Sequence, residues 1–508
     1  MKRIAHKNVN SHKNGSSHKK ANFSRAGKAL SPRSGKALSL RAGKAVKPGR
    51  SGHSSDSAYN SDTAHSGHTA VAHAAAGYST PSFRRKRRYA LLADEADIHL
   101  SIPTELDDAQ KKRRDAVIRG LFGLLVSVIV LLLLGIVMVF SATSARSIDA
   151  AFLGSDSSMV FSVALKQAQW VLISVLLCAI VAAFPYKILE RLCYWLFALG
   201  LILQLLVLIV GTTINGNKNW LEIGPVQIQP SELLKAAMIV WLAHTIGRLS
   251  FEEIRRFTTL VIPLIGFTLA TGLVILGGDM GTALIYLLIG CVMFWCAGVR
   301  NLYLGGLLIL GAFCAAVLVA LAPSRVTRIT DFASSLFSIP DIVEPTQSEF
   351  AQFAFGSGGI AGVGIGAGKE KWRDLAEAHT DFIYAVIGEE LGLFGTMTVV
   401  VLFLVLGWSF VEIARNMNTR FGQLATVGAG VWVCGQGFAN MCVVTGLLPV
   451  FGVPLPFLSQ GGSSMVGVMI SIGVVVSCAL AVPGVREVCS LRSRLIRKST
   501  AVVKGGTQ

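Results

Sequence analysis

From residue 118 onward the chain alternates between apolar runs of about twenty residues and short polar stretches; before residue 89 large apolar residues are nearly absent. Runs of that length cross a hydrocarbon core of roughly 30 Å as helices. The pattern predicts about ten spans, at 118–141, 165–184, 190–210, 231–248, 257–277, 280–297, 302–321, 391–415, 422–445 and 461–483. The expected fold is therefore all-α, a polytopic integral membrane protein. Its longest connection, 322–390, falls between spans 7 and 8.

Composition agrees. Of 508 residues 52% are hydrophobic and 15% charged, with a mean hydropathy of +0.58, where soluble chains carry about a quarter charged residues. The nine cysteines lie mostly inside apolar runs and form no CxxC pair, which argues against thiolate-bound zinc. A cleavable signal peptide is not expected, because the first apolar run begins about a hundred residues in.

Charge sets the expected orientation. Three regions follow: a disordered basic tail over 1–114, a membrane domain over 115–485 and a second basic tail over 486–508. The first tail repeats Arg-Ala/Ser-Gly-Lys-Ala at Arg25, Arg33 and Arg41, and carries basic clusters at 84–88 and 111–114. Its composition cannot bury enough apolar surface to fold. Basic flanks beside a span are the ordinary topology signal and attract anionic lipid, so membrane lipids rather than nucleic acid are the expected partner. Lysine and arginine recur in alternate loops and in both tails, which places both termini in the cytoplasm. The loops 212–230, 322–390 and 446–460 then lie outside, where ATP is absent.

Every motif-like polar stretch falls on that outer side. Residues 369–395 hold dense charge between two apolar regions, costly unless it faces water, a partner or a substrate. A Gly-rich run, 356–369, leads into them, and glycine lets backbone approach a ligand closely. From Asp381 the pattern reads as a short helix, with Asp381, Ala385, Gly388 and Glu389 on one face and the two acids about 12 Å apart along its axis. Spacing leaves two readings of Asp381 open: a catalytic acid, or a dipole partner behind an N-cap at Thr380. In Gln229-Pro230-Ser231-Glu232, Ser231 reads as a helix cap, and Lys235 must snorkel or pair. Asp279, in Gly277-Gly-Asp-Met-Gly-Thr282, reads as a turn residue. The prolines and glycines of 446–464 forbid regular structure, and irregular backbone at membrane depth is tolerated only when buried in protein or lining a cavity.

QPSELLK, EAHTDFIYAVIGEELGLFG and GLLPVFGVPLPFLSQGGSS resemble, in order, the signatures of the SEDS family of shape, elongation, division and sporulation proteins (FtsW, RodA and SpoVE). The resemblance covers about 118–485 and is strongest to the cell-division branch; the basic tail is similar to those of actinobacterial members. It implies a peptidoglycan glycosyltransferase that polymerises lipid II at the outer face of the cytoplasmic membrane, at the septum. Partners would be a class B penicillin-binding transpeptidase and other division proteins. The family's essential acid corresponds to Asp381. A carboxylate can take the proton of the acceptor hydroxyl. Lys218, Lys371, Arg325 or a divalent cation (Mg or Mn) could steady the pyrophosphate leaving group; no cofactor is otherwise implied. One carboxylate suffices for a single, inverting displacement.

Motif matches extend the substrate-binding candidates to Trp220, Gln229, Ser231, Glu232, Lys235, Glu377, His379, Thr380, Pro456, Ser459, Gly461, Gly462 and Ser463. The chain departs from the family pattern at Asn219, Gly278, Ala376, Val450-Phe451 and Gln460, while the acid at 381 is intact. Three alternatives stand beside septal polymerisation: an elongation-type polymerase, a lipid II flippase and a scaffold without catalysis. The two halves show no internal repeat of the kind transporters often use, and the polar residues crowd on one side.

Overall fold

The computed structural model describes residues 106–152, 159–214, 217–224, 226–320, 326–327, 329–330, 332–333, 346–372 and 377–490. Residues 1–105 of the tail expected over 1–114, residues 491–508 of the second tail and Arg325 lie outside them; from Asp108 the expected tail is instead helical, because its last residues continue into the first apolar helix. Helices α1 (Asp108–Phe152), α2 (Met159–Ala183) and α3 (Tyr186–Val210) come first. A small antiparallel sheet follows, β1 (Thr212–Ile214), β2 (Asn217–Ile223) and β3 (Val226–Ile228), with β2 in the middle. Then come α4 (Pro230–Gly247), α5 (Phe257–Leu276), α6 (Met280–Ala297), α7 (Asn301–Ala320), α8 (Gln347–Gly358) and α9 (Ile383–Arg415). Helices α10 (Arg420–Gly430) and α11 (Gln436–Val444) are joined through a π-helical turn, Val431–Gly435, and α12 (Gly462–Leu480) closes the bundle.

Among the described residues eight helical stretches are long and apolar enough to span a membrane, and all eight fall on expected spans. The other two expected spans are helical but differ. Helix α4 carries Glu232, Lys235 and His244, all buried, so other helices surround it where lipid would not tolerate those groups. In α7 the apolar stretch is the shorter Asn301–Val317. Helix α4 sits at the centre, packed on α3, α10 and α12. Phe197 of α3 stacks on Trp241 of α4 at 4.3 Å, and Gly428 of α10 lets the helices approach, since a Cβ there would meet Ile239 at 2.7 Å.

The span expected at 391–415 is longer and broken. Helix α9 begins at Ile383 and breaks at Gly392, whose φ of +64° favours glycine. The break frees backbone carbonyls at membrane depth. The Gly-rich run takes them up: Val363 N donates to Glu389 O at 2.9 Å and Gly364 N to Glu390 O at 3.0 Å. A Cβ at Gly362 would sit 2.2 Å from Glu390 O, so this crossing requires glycine.

Three side chains fasten the same region to α1. Lys371 Nζ lies 2.5 Å from Glu390 Oε1 and 3.0 Å from Ser141 Oγ, and Ser141 Oγ donates to both Glu390 oxygens at 2.7 Å. Lys371 and Glu390 have essentially no exposed side-chain surface. Removing one partner of such a pair leaves an uncompensated buried charge and costs about 3–5 kcal/mol. We therefore expect Lys371→Met to lower the thermal unfolding midpoint of the purified protein sharply. Adding Glu390→Gln should restore most of it. A double variant as unstable as the single one would show that Lys371 has another structural role.

Candidate active site

Asp381 lies in the turn 377–382 ahead of α9, outside the helix in which the sequence pattern placed it. The reason is local. Glu377 adopts φ +55°, and its carbonyl accepts from Thr380 N at 3.1 Å and Phe382 N at 3.2 Å, which closes a turn of its own. Phe382, not Thr380, takes the N-cap position; the Thr380 hydroxyl donates instead to Glu377 Oε2 at 2.8 Å. The common helix face expected for Asp381 and Glu389 is accordingly absent. Glu389 is buried and accepts from Lys369 N at 2.5 Å, holding the Gly-rich run.

The irregular segment 446–461 packs over this turn. Gln460 N donates to His379 O at 2.9 Å. Gly452, at φ +65°, brings backbone against the acid: a Cβ there would stand 3.4 Å from Asp381 Oδ2. Asn440 Nδ2, on α11, donates to Asp381 O at 2.8 Å and to Val453 O at 2.7 Å. Inside the segment, Ser459 Oγ accepts from Leu455 N at 2.7 Å, and Pro456 is buried. Gly461 is extended backbone at the N-cap of α12, Gly462 packs on Trp170, where a Cβ would come within 2.5 Å, and Ser463 is buried.

The QPSELLK stretch approaches from α4. Its N-cap is Gln229 with Pro230 at the first helical position; Ser231 is not the cap, and its hydroxyl is buried without a hydrogen-bond partner. Proline fits there because the first helical N–H would be unpaired anyway. Lys235 pairs rather than snorkels. Its Nζ lies 2.8 Å from Glu232 Oε1, 3.0 Å from Gln436 Oε1 and 4.8 Å from the Trp432 ring centre. Gln229 Nε2 donates to Asp279 Oδ2 at 3.0 Å, and Asp279 Oδ1 caps α6 by accepting from Thr282 N at 2.9 Å.

Among the described residues, the charges acting on Asp381 are those of acids. Burial pushes its carboxyl up from 3.8 to about 7, and the charges of Glu377 and Asp279 push in the same direction. Burial likewise raises Asp279, against the hydrogen bonds from Thr282. A carboxyl held near neutral pH can exchange a proton at working pH, the property a general base needs.

Two expected leaving-group cations are committed elsewhere. Lys218 Nζ donates to the carbonyls of Leu208 and Ile209 at 3.0 and 3.1 Å, capping the end of α3, and Lys371 is sealed against Glu390. Trp220 holds β2 against β1, opposite Thr212. Among the described residues no group of three His, Cys, Asp or Glu could hold a metal ion. Sequence reading missed Asp279 as a neighbour of the acid, and it missed Asn440 and Gln436 altogether. Two amides four residues apart in an apolar span were the available signal.

Fold and site define a multi-pass membrane protein with a half-buried carboxyl of raised pKa where three motif loops meet. The family model for the cell cycle proteins FtsW, RodA and SpoVE matches residues 122–482, and the chain belongs to that family. It is 36% identical to the "Probable peptidoglycan glycosyltransferase FtsW" of Methylomonas methanica, over 66% of this chain and 86% of that protein. The protein of the same name from Mycobacterium tuberculosis is 32% identical, over 70% of this chain and 67% of its own length. Among solved structures, a chain from a study titled "Structural coordination of polymerization and crosslinking by a peptidoglycan synthase complex" superposes with a TM-score of 0.56 at 26% identity, covering 70% of this chain and 97% of that one. RodA of Thermus thermophilus gives a TM-score of 0.51 at 25% identity, covering 70% and 96%.

The electrostatics can be tested directly. In infrared difference spectra of wild type against Asp381→Asn, the protonated carboxyl band should disappear with a midpoint near pH 7. A midpoint near 4 would show that Asp381 is solvated like an ordinary surface carboxyl.

Proposed function

We propose that this protein polymerises lipid II into glycan strands at the outer face of the cytoplasmic membrane, acting in septal wall synthesis. It is a peptidoglycan glycosyltransferase, and Asp381 is its general base. The observation that carries this reading is the half-buried carboxyl at 381, raised to about 7 and set among three motif loops. A sugar hydroxyl of the acceptor attacks the anomeric carbon of the donor while Asp381 takes the hydroxyl proton. The bond from that carbon to the lipid pyrophosphate breaks, and the configuration inverts. The leaving group is already good, so one carboxyl is enough.

A second feature supports a lipid-linked donor. An apolar cavity of about 190 Å³ opens between the outer halves of α5, α6 and α7, lined by residues such as Thr271, Ile275, Met280, Leu287 and Leu310. Met280 directly follows Asp279, so the cavity starts beside the acids and offers an apolar path for an isoprenoid tail. The division branch is favoured because relatives at 32–36% identity carry the FtsW name. A class B transpeptidase is the expected partner, by likeness to the synthase complex. Both termini are cytoplasmic in this reading.

Asp381→Asn should lower polymerisation of labelled lipid II by about 10²–10⁴-fold, the usual worth of a general base, with fold and partner binding kept. Glu389→Gln is the control and should keep partial activity. Near-normal turnover in Asp381→Asn with a dead Glu389→Gln would move the base to the deeper acid.

Orientation has its own test. Lys369→Cys should react with a membrane-impermeant maleimide in intact cells, while the native, exposed Cys489 should react only after permeabilisation. The reverse pattern would invert the topology.

A further inference from the structure

The site contains one side chain that the general-base reading leaves unused. Asn440 is buried, with 1% of its surface exposed, in an apolar span. Both hydrogens of its amide are engaged, one with the carbonyl of Asp381 and one with the carbonyl of Val453, at 2.8 and 2.7 Å. Its Oδ1 is buried without a hydrogen-bond partner. An orphaned amide oxygen in such surroundings costs on the order of 1–3 kcal/mol, whereas a leucine of the same shape would carry no such cost. The residue therefore suits the two donated bonds and little else.

One turn earlier, Gln436 repeats the arrangement. Its Nε2 donates to Pro454 O at 2.8 Å, and its Oε1 accepts from Lys235 Nζ and Trp432 Nε1, each at 3.0 Å. Helix α11 thus presents two amides to successive carbonyls of one segment, Val453 and Pro454. Through them it ties that segment to the α4 motif on one side and to the Asp381 turn on the other. Gly452, the residue against the carboxylate, is the chain neighbour of Val453.

We propose that Asn440 is a positioning residue for the transfer: its amide clamps the backbone of Asp381 to that of Val453 and so holds the carboxylate against the Gly452 turn. The inference rests on the assignment of Asp381 as the base. With the clamp removed, the carbonyls of Asp381 and Val453 lose this donor and the turn 377–382 loses its tie to α11. The carboxylate can then move by a fraction of an ångström and meet water. Misplacement of about 1 Å costs on the order of 10²-fold in rate. Added water weakens the burial that raises the Asp381 pKa, while the acids Glu377 and Asp279 remain beside it and the Lys235–Glu232 pair stays bonded through Gln436.

The test is Asn440→Leu, which keeps the shape and removes the donor, assayed in the full-length protein with labelled lipid II. We expect kcat to fall about 10–100-fold with KM within about threefold. The acidic limb of the kcat/KM profile should move below its wild-type position near pH 7. The direction follows because the active form is the carboxylate, and a better solvated carboxyl loses its proton at lower pH. Asn440→Ser keeps one donor and should fall between the two, which leaves the idea testable should the leucine variant not fold. Wild-type kcat and pH dependence in a folded Asn440→Leu, with Asp381→Asn inactive, would overturn the clamp alone. Full turnover in Asp381→Asn would instead overturn the base assignment on which the clamp rests.

Discussion

An ionised group at the end of an apolar bundle must find compensation, and the motif-bearing half of this protein is arranged around that constraint. Lys235 is matched by Glu232 and Gln436, and Lys371 by Glu390 and Ser141; all six side chains are buried. These sets join α4 to α11 and the loop at Lys371 to α1 and α9. Asp381 is treated differently. It meets two further acids, and its carboxyl rises toward neutrality instead of being neutralised by a cation. The paired charges hold the architecture, and the unneutralised acid is left able to exchange a proton.

The same constraint governs the backbone. Peptide groups that leave a helix at membrane depth must be bonded within the protein. At Gly392 the carbonyls of Glu389 and Glu390 are taken by the N–H groups of Val363 and Gly364. At the proline-rich segment, α11 supplies the donors through the Asn440 and Gln436 side chains, because Pro454 and Pro456 have no N–H and the strained turn at Phe457, φ +68°, cannot continue a helix. The glycines and prolines of the motifs shape the site by breaking helices at fixed points, and the buried amides and glycine crossings make those breaks tolerable.

Much of this was legible in the sequence and some was not, for physical reasons. Apolar run length revealed the membrane helices, because length against the hydrocarbon core is a strong constraint. Motif order pointed to Asp381. Helix starts were misread in two places. Ser231 and Thr380 each look like caps, but Pro230 took the first helical position at one, and the left-handed Glu377 closed a separate turn at the other. Lys218 and Lys371 were expected to face a leaving group. Nothing in local spacing announces that Glu390 and Ser141 enclose one of them, or that the end of α3 takes the other, since those contacts depend on how distant helices meet. Gln436 and Asn440 were missed because an amide has neither charge nor a motif of its own.

The raised carboxyl also bears on the chemistry. An ordinary aspartate, at 3.9, is ionised throughout the physiological range but is a weak base toward a sugar hydroxyl. Raising it to about 7 makes it a stronger proton acceptor while leaving roughly half of it ionised at neutral pH, close to the best compromise for general-base catalysis. That gain depends on keeping water away from the carboxyl in the absence of substrate. The turn at Glu377 and the Asn440 amide of α11 fix the half-buried position of the carboxyl on which this depends. A lysine beside Asp381 would have held it ionised at the expense of basicity. The acids found there, Glu377 and Asp279, push the carboxyl toward proton uptake instead.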